Sequence, residues 1–277
     1  MNRSMRILWW TGLVLLSLWA TSPAMGQRAE SHSLMFGVGR SNQLDTYLSP
    51  MEYTGPQFSV VRETLRMTKA AQGRLSFQSL TAVATSYTEN PAQTGRDIAG
   101  RLGYSAAWHY HWLPRANLRL MAGGMVEGDA GFLYNTRNGN NPAQGRVRAD
   151  LAASLAGIYR CHLRKQLFTL RYQVDMPIVG CMFSPQFGQS YWEISQGNRD
   201  HNVCPTYVGN ALSLHQLLTV DVPLGRFVLR AGYLSDIRQS HVNQIRVHDI
   251  SRSFVLGFVR HLHLVGNKKE GREDFIL

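Results

Sequence analysis

The sequence predicts an all-β fold: an antiparallel, up-and-down transmembrane β-barrel of about ten strands behind a cleaved signal peptide, with eight or twelve strands as alternatives. Three observations predict it. First, Ile98 to Trp112 alternate, with Ile98, Leu102, Tyr104, Trp108, Tyr110 and Trp112 on one parity and Arg101, Ser105, His109 and His111 on the other. Successive side chains of a strand point to opposite faces, so period two makes one apolar and one polar face. The stretch is longer than the roughly 5–6 residues usual for a strand in a soluble protein. Second, Arg3 and Arg6 precede an apolar run from Ile7 to Leu18, and Ala24-Met25-Gly26 offers a cleavage site before Gln27. Third, no later run approaches the roughly 20 apolar residues of a spanning helix. Export without a membrane helix, combined with long alternating strands, points to a bacterial outer membrane.

The strands follow in order from alternation and from turn formers between them. The first spans Ser33–Arg40 and leads into a long loop through Asp45, Tyr47, Pro50 and Pro56. Gln57–Met67 is the second, turning near Gln72-Gly73 into the third, Arg74–Tyr87. Asn90, Pro91 and Gly95 mark the loop before the fourth, which is the alternating stretch itself. The turn Leu113–Asn117 starts the fifth, Leu118–Tyr134, and a loop rich in Asn and Gly leads to the sixth, Arg146–His162. The seventh is about Leu167–Phe183, and the longest loop runs from Ser184 to about Thr206. The eighth lies near Tyr207–Val222 and turns at Pro223-Leu224-Gly225 into the ninth, Phe227–Arg238. The last is His248–Leu264. An even count puts both ends and all short turns on the periplasmic side, and all long loops outside. The domains are thus a signal peptide over 1–26, a barrel over 27–265 and a charged periplasmic tail over 266–277.

With the apolar parity toward lipid, Arg101, Arg119, Glu127, Asp129, Arg148, Asp150, Arg160, Arg171, Asp175, Asp221, Arg230, Asp236 and Arg238 face the lumen. A ten-stranded barrel is little wider than the eight-stranded kind that side chains fill, so an interleaved ion-pair network plugging the lumen is expected ahead of a conducting pore. Trp108, Tyr110, Trp112 and Tyr159 belong at the periplasmic interface and Tyr134 at the outer one. Arg252 and Arg260, on the outward parity of the last strand, are expected to snorkel to opposite interfaces without a specific partner, an outer-leaflet lipid phosphate at Arg252 being the alternative. The net charge of +11 comes with no dense basic run and no nucleic-acid motif, so the anionic neighbour expected is outer-membrane lipid, not nucleic acid.

Candidate chemistry concentrates at the outer rim, where Asp45, Asp200, His201, His241, His248 and Asp249 fall. Carboxylates and histidines there can activate water, as a protease would, and Ser190 or Ser240 with His241 can be cast as a lipase. Loops accumulate these residue types regardless of catalysis, so no catalytic residue is assigned. Cys181 and Cys204 bracket the longest loop, and an exported protein can join them as a disulfide; the alternative is that they stay free, as Cys161 is expected to. No metal-ligand spacing is present, and no cofactor is implied.

Several segments together resemble a family of uncharacterised Bacteroidota-type exported proteins, a domain of unknown function. They include Leu44–Pro50, Tyr134–Asn138, Asn141–Gln144, Met182–Pro185, Gly188–Tyr191, Asp200–Cys204 and Gln239–Asn243. The resemblance covers about Ser33 to Leu264 and implies an outer-membrane barrel, but no reaction and no catalytic roles. The function expected is a plugged scaffold whose outer loops bind a surface protein or glycan. A hydrolase using the rim residues and a narrow pore or small-solute transporter are the alternatives.

Overall fold

The computed structural model describes residues 30–163, 166–224 and 227–262. The expected signal peptide and charged tail lie outside the described residues, as do 164–165 and 225–226. Eleven strands are formed: β1 (Glu30–Asp45), β2 (Ser49–Met67), β3 (Leu75–Glu89), β4 (Arg96–Arg115), β5 (Leu118–Asn135), β6 (Ala143–Leu163), β7 (Gln166–Phe183), β8 (Val203–Tyr207), β9 (Ser213–Leu224), β10 (Phe227–Val242) and β11 (Ile245–Leu262). One short helix, α1 (Tyr191–Ser195), lies between β7 and β8. Neighbours in sequence pair antiparallel, and β1 pairs β11, which closes the ring. Both β8 and β9 pair with β7, β8 against Val179–Phe183 and β9 against Thr169–Asp175. They are two pieces of one stave, so eleven strands make a closed barrel of ten staves.

The alternation that predicts the strands also orients them. Along β4, Asp97, Ala99, Ala107, His109 and His111 are buried, while Ile98, Leu102, Tyr104, Trp108 and Trp112 are exposed. The same split gives the outside an apolar belt that includes Phe36, Val38, Phe58, Phe132, Phe254, Leu256 and Phe258. At the periplasmic end two aromatic pairs meet, with Phe77 and Trp108 centroids 5.3 Å apart and Tyr110 and Trp112 5.0 Å apart. An apolar outer surface on a closed barrel is the arrangement a bilayer demands, because closure leaves no backbone group unpaired in hydrocarbon. The protein is an outer-membrane β-barrel.

Three expectations need correction. The first and second strands reach further than Ser33–Arg40 and Gln57–Met67, and the expected long loop is only the turn Thr46-Tyr47-Leu48. Asp45 builds that turn, its Oδ1 accepting from Tyr47 N at 3.1 Å and its carbonyl from Leu48 N at 3.0 Å. Pro50 and Pro56, which suggest a loop, both lie within β2. The β2–β3 register passes from Thr54 to Gln57, so the missing N–H of Pro56 falls where that ladder has a gap. The eighth strand begins not at Tyr207 but as two pieces, β8 and β9, separated by 208–212.

The third correction concerns the cysteines. All three thiols are free, with Cys181 exposed and Cys204 buried. The β6–β7 register shifts between Leu151 and Ala152, which face Val179 and Pro177, and leaves Ile178 as an extra residue. Such a bulge reverses the parity beyond it. Cys181 therefore turns outward while Cys204, opposite Met182, turns inward, and no Cys181–Cys204 bridge forms.

Candidate functional site

The charged residues of the lumen are arranged in tiers. In the lowest, Glu63 Oε1 meets Arg171 Nη1 at 2.6 Å and its Oε2 meets Arg230 Nη1 at 2.8 Å. Arg230 also grips Asp221 with two bonds of 2.7 Å. Gln78 donates to Glu63 at 2.7 Å and to Gln173 at 3.0 Å, and Arg171 donates to Gln173 at 2.6 Å. Above this lies an apolar layer of Met35, Val61, Leu217 and Val255. In the middle tier Asp236 pairs with Arg101, accepts from Arg238 Nε at 3.2 Å and lies 2.5 Å from His215 Nδ1. Arg238 reaches on to Asp129 at 2.6 Å, and His215 Nε2 stands 3.4 Å from Glu127. At the rim Arg146 pairs with Asp45 at 3.1 Å, and Arg148 pairs with Asp150 and donates to Ser213 at 2.8 Å.

The ring order gives these contacts their meaning. Glu63 on β2 and Arg171 on β7 are five staves apart in a ring of ten, directly across the barrel. The same separation holds for Arg101 on β4 and Asp236 on β10, and for Asp45 on β1 and Arg146 on β6. Opposite walls are thus joined by ion pairs at three heights. Small chambers remain between tiers. One of about 100 Å³ is lined by Glu127, Asp175, His215 and Asp236, and one of about 80 Å³ lies under Phe183 and Ser184, among Arg146, Arg148, Arg238 and Asp249. Each holds a few water-sized groups.

A folded loop sits on the outer mouth, between β7 and β8. Its neck closes where Ser184 N donates to the carbonyl of Asn202 at 2.9 Å. Asn202 Nδ2 donates to Gln189 Oε1 at 2.7 Å and to the Ser184 carbonyl at 3.2 Å. Three other parts of the barrel hold the loop down. Tyr47, in the β1–β2 turn, donates its hydroxyl to the carbonyl of Gln189 at 2.8 Å. Gly145 N of β6 donates to Tyr191 Oη at 2.6 Å. Asn243, between β10 and β11, donates through Nδ2 to the carbonyls of Ser184 at 3.0 Å and His201 at 2.9 Å. Tyr47 and Tyr191 also meet edge to face, with centroids 6.1 Å apart. Burial and the proximity of Tyr191 push the Tyr47 phenol up to about 12, and burial raises Tyr191 as well. Ser190 caps α1: its N–H and hydroxyl donate to Glu193, whose own N–H donates back to Ser190 Oγ. Those bonds hold the exposed Glu193 carboxylate below its ordinary range.

The rim candidates separate on inspection. Asp45 and Asp249 converge on Arg146, which is 3.1 Å from the first and 3.8 Å from the second. Asp249 also accepts from Ser41 at 3.2 Å. His248 instead faces outward and meets Asn42 at 3.1 Å. Asp200, His201 and His241 are exposed, and His201 takes part through its carbonyl, which accepts from Asn243 and Cys204. Ser190 is committed to its helix cap. Arg119 lies with Arg160 at the periplasmic end of β5 and β6, away from the tiers. Glu63, His215 and Arg146 join the tiers without having been singled out in the sequence.

One grouping has the residue types of a hydrolase. His109 Nε2 lies 2.7 Å from Ser154 Oγ, and Ser154 also bonds Asp175. The hydroxyl's single proton goes to the Asp175 carboxylate, so His109 must donate its own proton to Oγ. A base that is donating cannot accept, and the carboxylate does not orient the imidazole as a triad requires. Both His109 and Ser154 are fully buried in the lumen. This is a structural hydrogen-bond chain.

Residues 8–269 match the family described as "Protein of unknown function (DUF3316)". The chain belongs to the DUF3316 family. No curated protein sequence matches it. Among solved structures, the transport unit of the autotransporter AIDA-I from Escherichia coli is 11% identical, with 92% of this chain and 97% of that chain covered and a TM-score of 0.45. The outer membrane protease OmpT from Escherichia coli is 8% identical, covers 87% and 100% respectively, and also scores 0.45. The beta domain of the Bordetella autotransporter BrkA is 11% identical, with 84% and 99% covered and a TM-score of 0.43. The likeness is one of barrel form. The segments that carry the resemblance seen in the sequence supply Tyr47, Ser184, Gln189, Tyr191, Asn202 and Asn243, the residues that fasten the outer loop of this chain.

Proposed function

We propose that this DUF3316 barrel is a closed scaffold whose outer loops bind a surface protein or glycan. The observation that carries the reading is the joining of opposite walls by Glu63–Arg171, Arg101–Asp236 and Asp45–Arg146 beneath a tethered loop. Three diametric ion pairs favour a rigid support over a passage. The loop they underlie carries Phe187 at 63% and Trp192 at 70% exposure, large apolar side chains on a surface that otherwise gains nothing by showing them. Fastening by Tyr47, Gly145 and Asn243 pre-organises that surface, which lowers the ordering cost of binding.

The test is site-specific photo-cross-linking in intact cells, with the reactive side chain placed at Trp192 and, as a control, at Trp112 on the lipid face. A discrete protein or glycan adduct from position 192 alone is expected, together with only background conductance of the purified barrel in planar bilayers. Steady conductance steps without an adduct would replace this reading with that of a pore.

A further inference from the structure

On the outer wall, Arg40 of β1 and Arg252 of β11 are register partners, directly opposite each other. Both are on the outward parity and exposed. Like charges facing across a strand pair repel, and side chains so placed have Cβ atoms about 4.5–5.5 Å apart. The strands also run close here, since a Cβ on the neighbouring Gly39 would stand 1.9 Å from the Arg252 carbonyl oxygen. Neither guanidinium has a hydrogen-bond or ion-pair partner among the described residues. Two other outward arginines are paired, Arg66 with Glu30 at 3.3 Å and Arg96 with Glu89 at 2.9 Å.

Their height is set by the belt below them. On β11 the outward residues between Arg252 and Arg260 are Phe254, Leu256 and Phe258, and on β1 those between Arg40 and His32 are Val38, Phe36 and Leu34. Eight residues at about 3.3 Å each, tilted by about 40°, rise about 20 Å, close to the height of the apolar band of such a barrel. Above the pair come Asn42, His248 and Glu52, joined by hydrogen bonds of 3.1 Å. The two arginines therefore mark the outer edge of the hydrocarbon, where headgroup phosphates lie.

We propose that Arg40 and Arg252 together hold a phosphate of an outer-leaflet lipid headgroup, whose acyl chains lie along Val38, Phe58 and Phe254. Guanidinium groups donate pairs of charge-assisted bonds that match a phosphate, and one phosphate between them turns the repulsion into two attractions. The exposed apolar surface directly below, with Val38 at 65% and Phe254 at 75%, suits the lipid's chains and gives an inorganic ion nothing.

The test uses the full barrel in neutral detergent, titrated separately with diphosphorylated lipid A, its dephosphorylated form and inorganic phosphate, and read by native mass spectrometry and by thermal unfolding. The wild type is expected to retain lipid A adducts and to gain heat stability from them, with at least a tenfold weaker response to either control ligand. The Arg40→Gln/Arg252→Gln double variant should lose the adduct tenfold or more. Without lipid it should be at least as heat-stable as wild type, because the mutual repulsion is gone. Arg66→Gln, at the periplasmic edge opposite Glu30, should bind lipid A as wild type does. Undiminished adducts in the Arg40/Arg252 variant, or equal binding of dephosphorylated lipid A, overturn the proposal. A response to inorganic phosphate equal to that for lipid A overturns its lipid source. Arg40→Lys/Arg252→Lys, which keeps both charges, provides a folded comparison if the glutamine variant fails to form the heat-modifiable barrel.

Discussion

Replacing Glu63 by Leu removes the one acceptor that joins β2 to both Arg171 and Arg230. The three side chains are 3%, 5% and 3% exposed, so none can regain water without opening the lumen. Arg230 keeps its two bonds to Asp221, whereas Arg171 keeps only the Gln173 amide. The penalty therefore falls mainly on Arg171, as an uncompensated buried charge worth about 3–5 kcal/mol. Glu63→Gln leaves one carbonyl acceptor and should cost less, about 1.5–3 kcal/mol. Adding Arg171→Leu to Glu63→Leu removes the stranded charge, and the double variant should lie within about 1–2 kcal/mol of wild type. Urea unfolding from phospholipid vesicles, followed by the fluorescence of the lipid-facing Trp108 and Trp112, reads all three. A loss below about 1 kcal/mol for Glu63→Leu, or a double variant weaker than the single, would refute the reasoning, because independent sites simply add.

Other outcomes follow from the outer loop. Asn243→Ala deletes the side-chain bonds to Ser184 and His201, each worth about 1 kcal/mol, and should raise protease cleavage within 186–199 more than tenfold while the heat-modifiable barrel is unchanged. Tyr47 contributes loop stability that is complete below its unfolded value near 10 and is lost as pH climbs to about 12, because only the freed phenol ionises readily in that window. Trp192 fluorescence should report loop release between those limits, and Tyr47→Phe should remove the pH dependence. Thiol labelling in intact membranes should modify Cys181 from the lipid phase at least tenfold faster than Cys204, and oxidation should produce no internal bridge between them.

Much of the wall was legible because a strand's period is a physical rule that each segment states by itself. Period two identifies the face of Arg101 or Asp236, but it is silent on height and on which stave stands across. Glu63 illustrates the difficulty: Arg62 and Arg66 make its strand look irregular, although they share the outward face and Glu63 the inward one. Its partner Arg171 is five staves away, a relation that only closure creates. The choice between bridged and free cysteines was left open for a local reason, a single extra residue at Ile178 that turns Cys181 to the other face. In the loops, Asn243 reads as a turn former and proves to be a hook, because its donors find carbonyls from a segment about sixty residues away.

The seam between the first and last strands carries a mechanical consequence. All 16 residues of β1 have partners on β11, from Glu30 with Leu262 to Asp45 with Val247. The joint that closes the ring is as continuous as those between neighbours in sequence, and it includes the level of the arginine pair. Here the wall is hooped like a cask and cross-braced inside by Glu63–Arg171, Arg101–Asp236 and Asp45–Arg146.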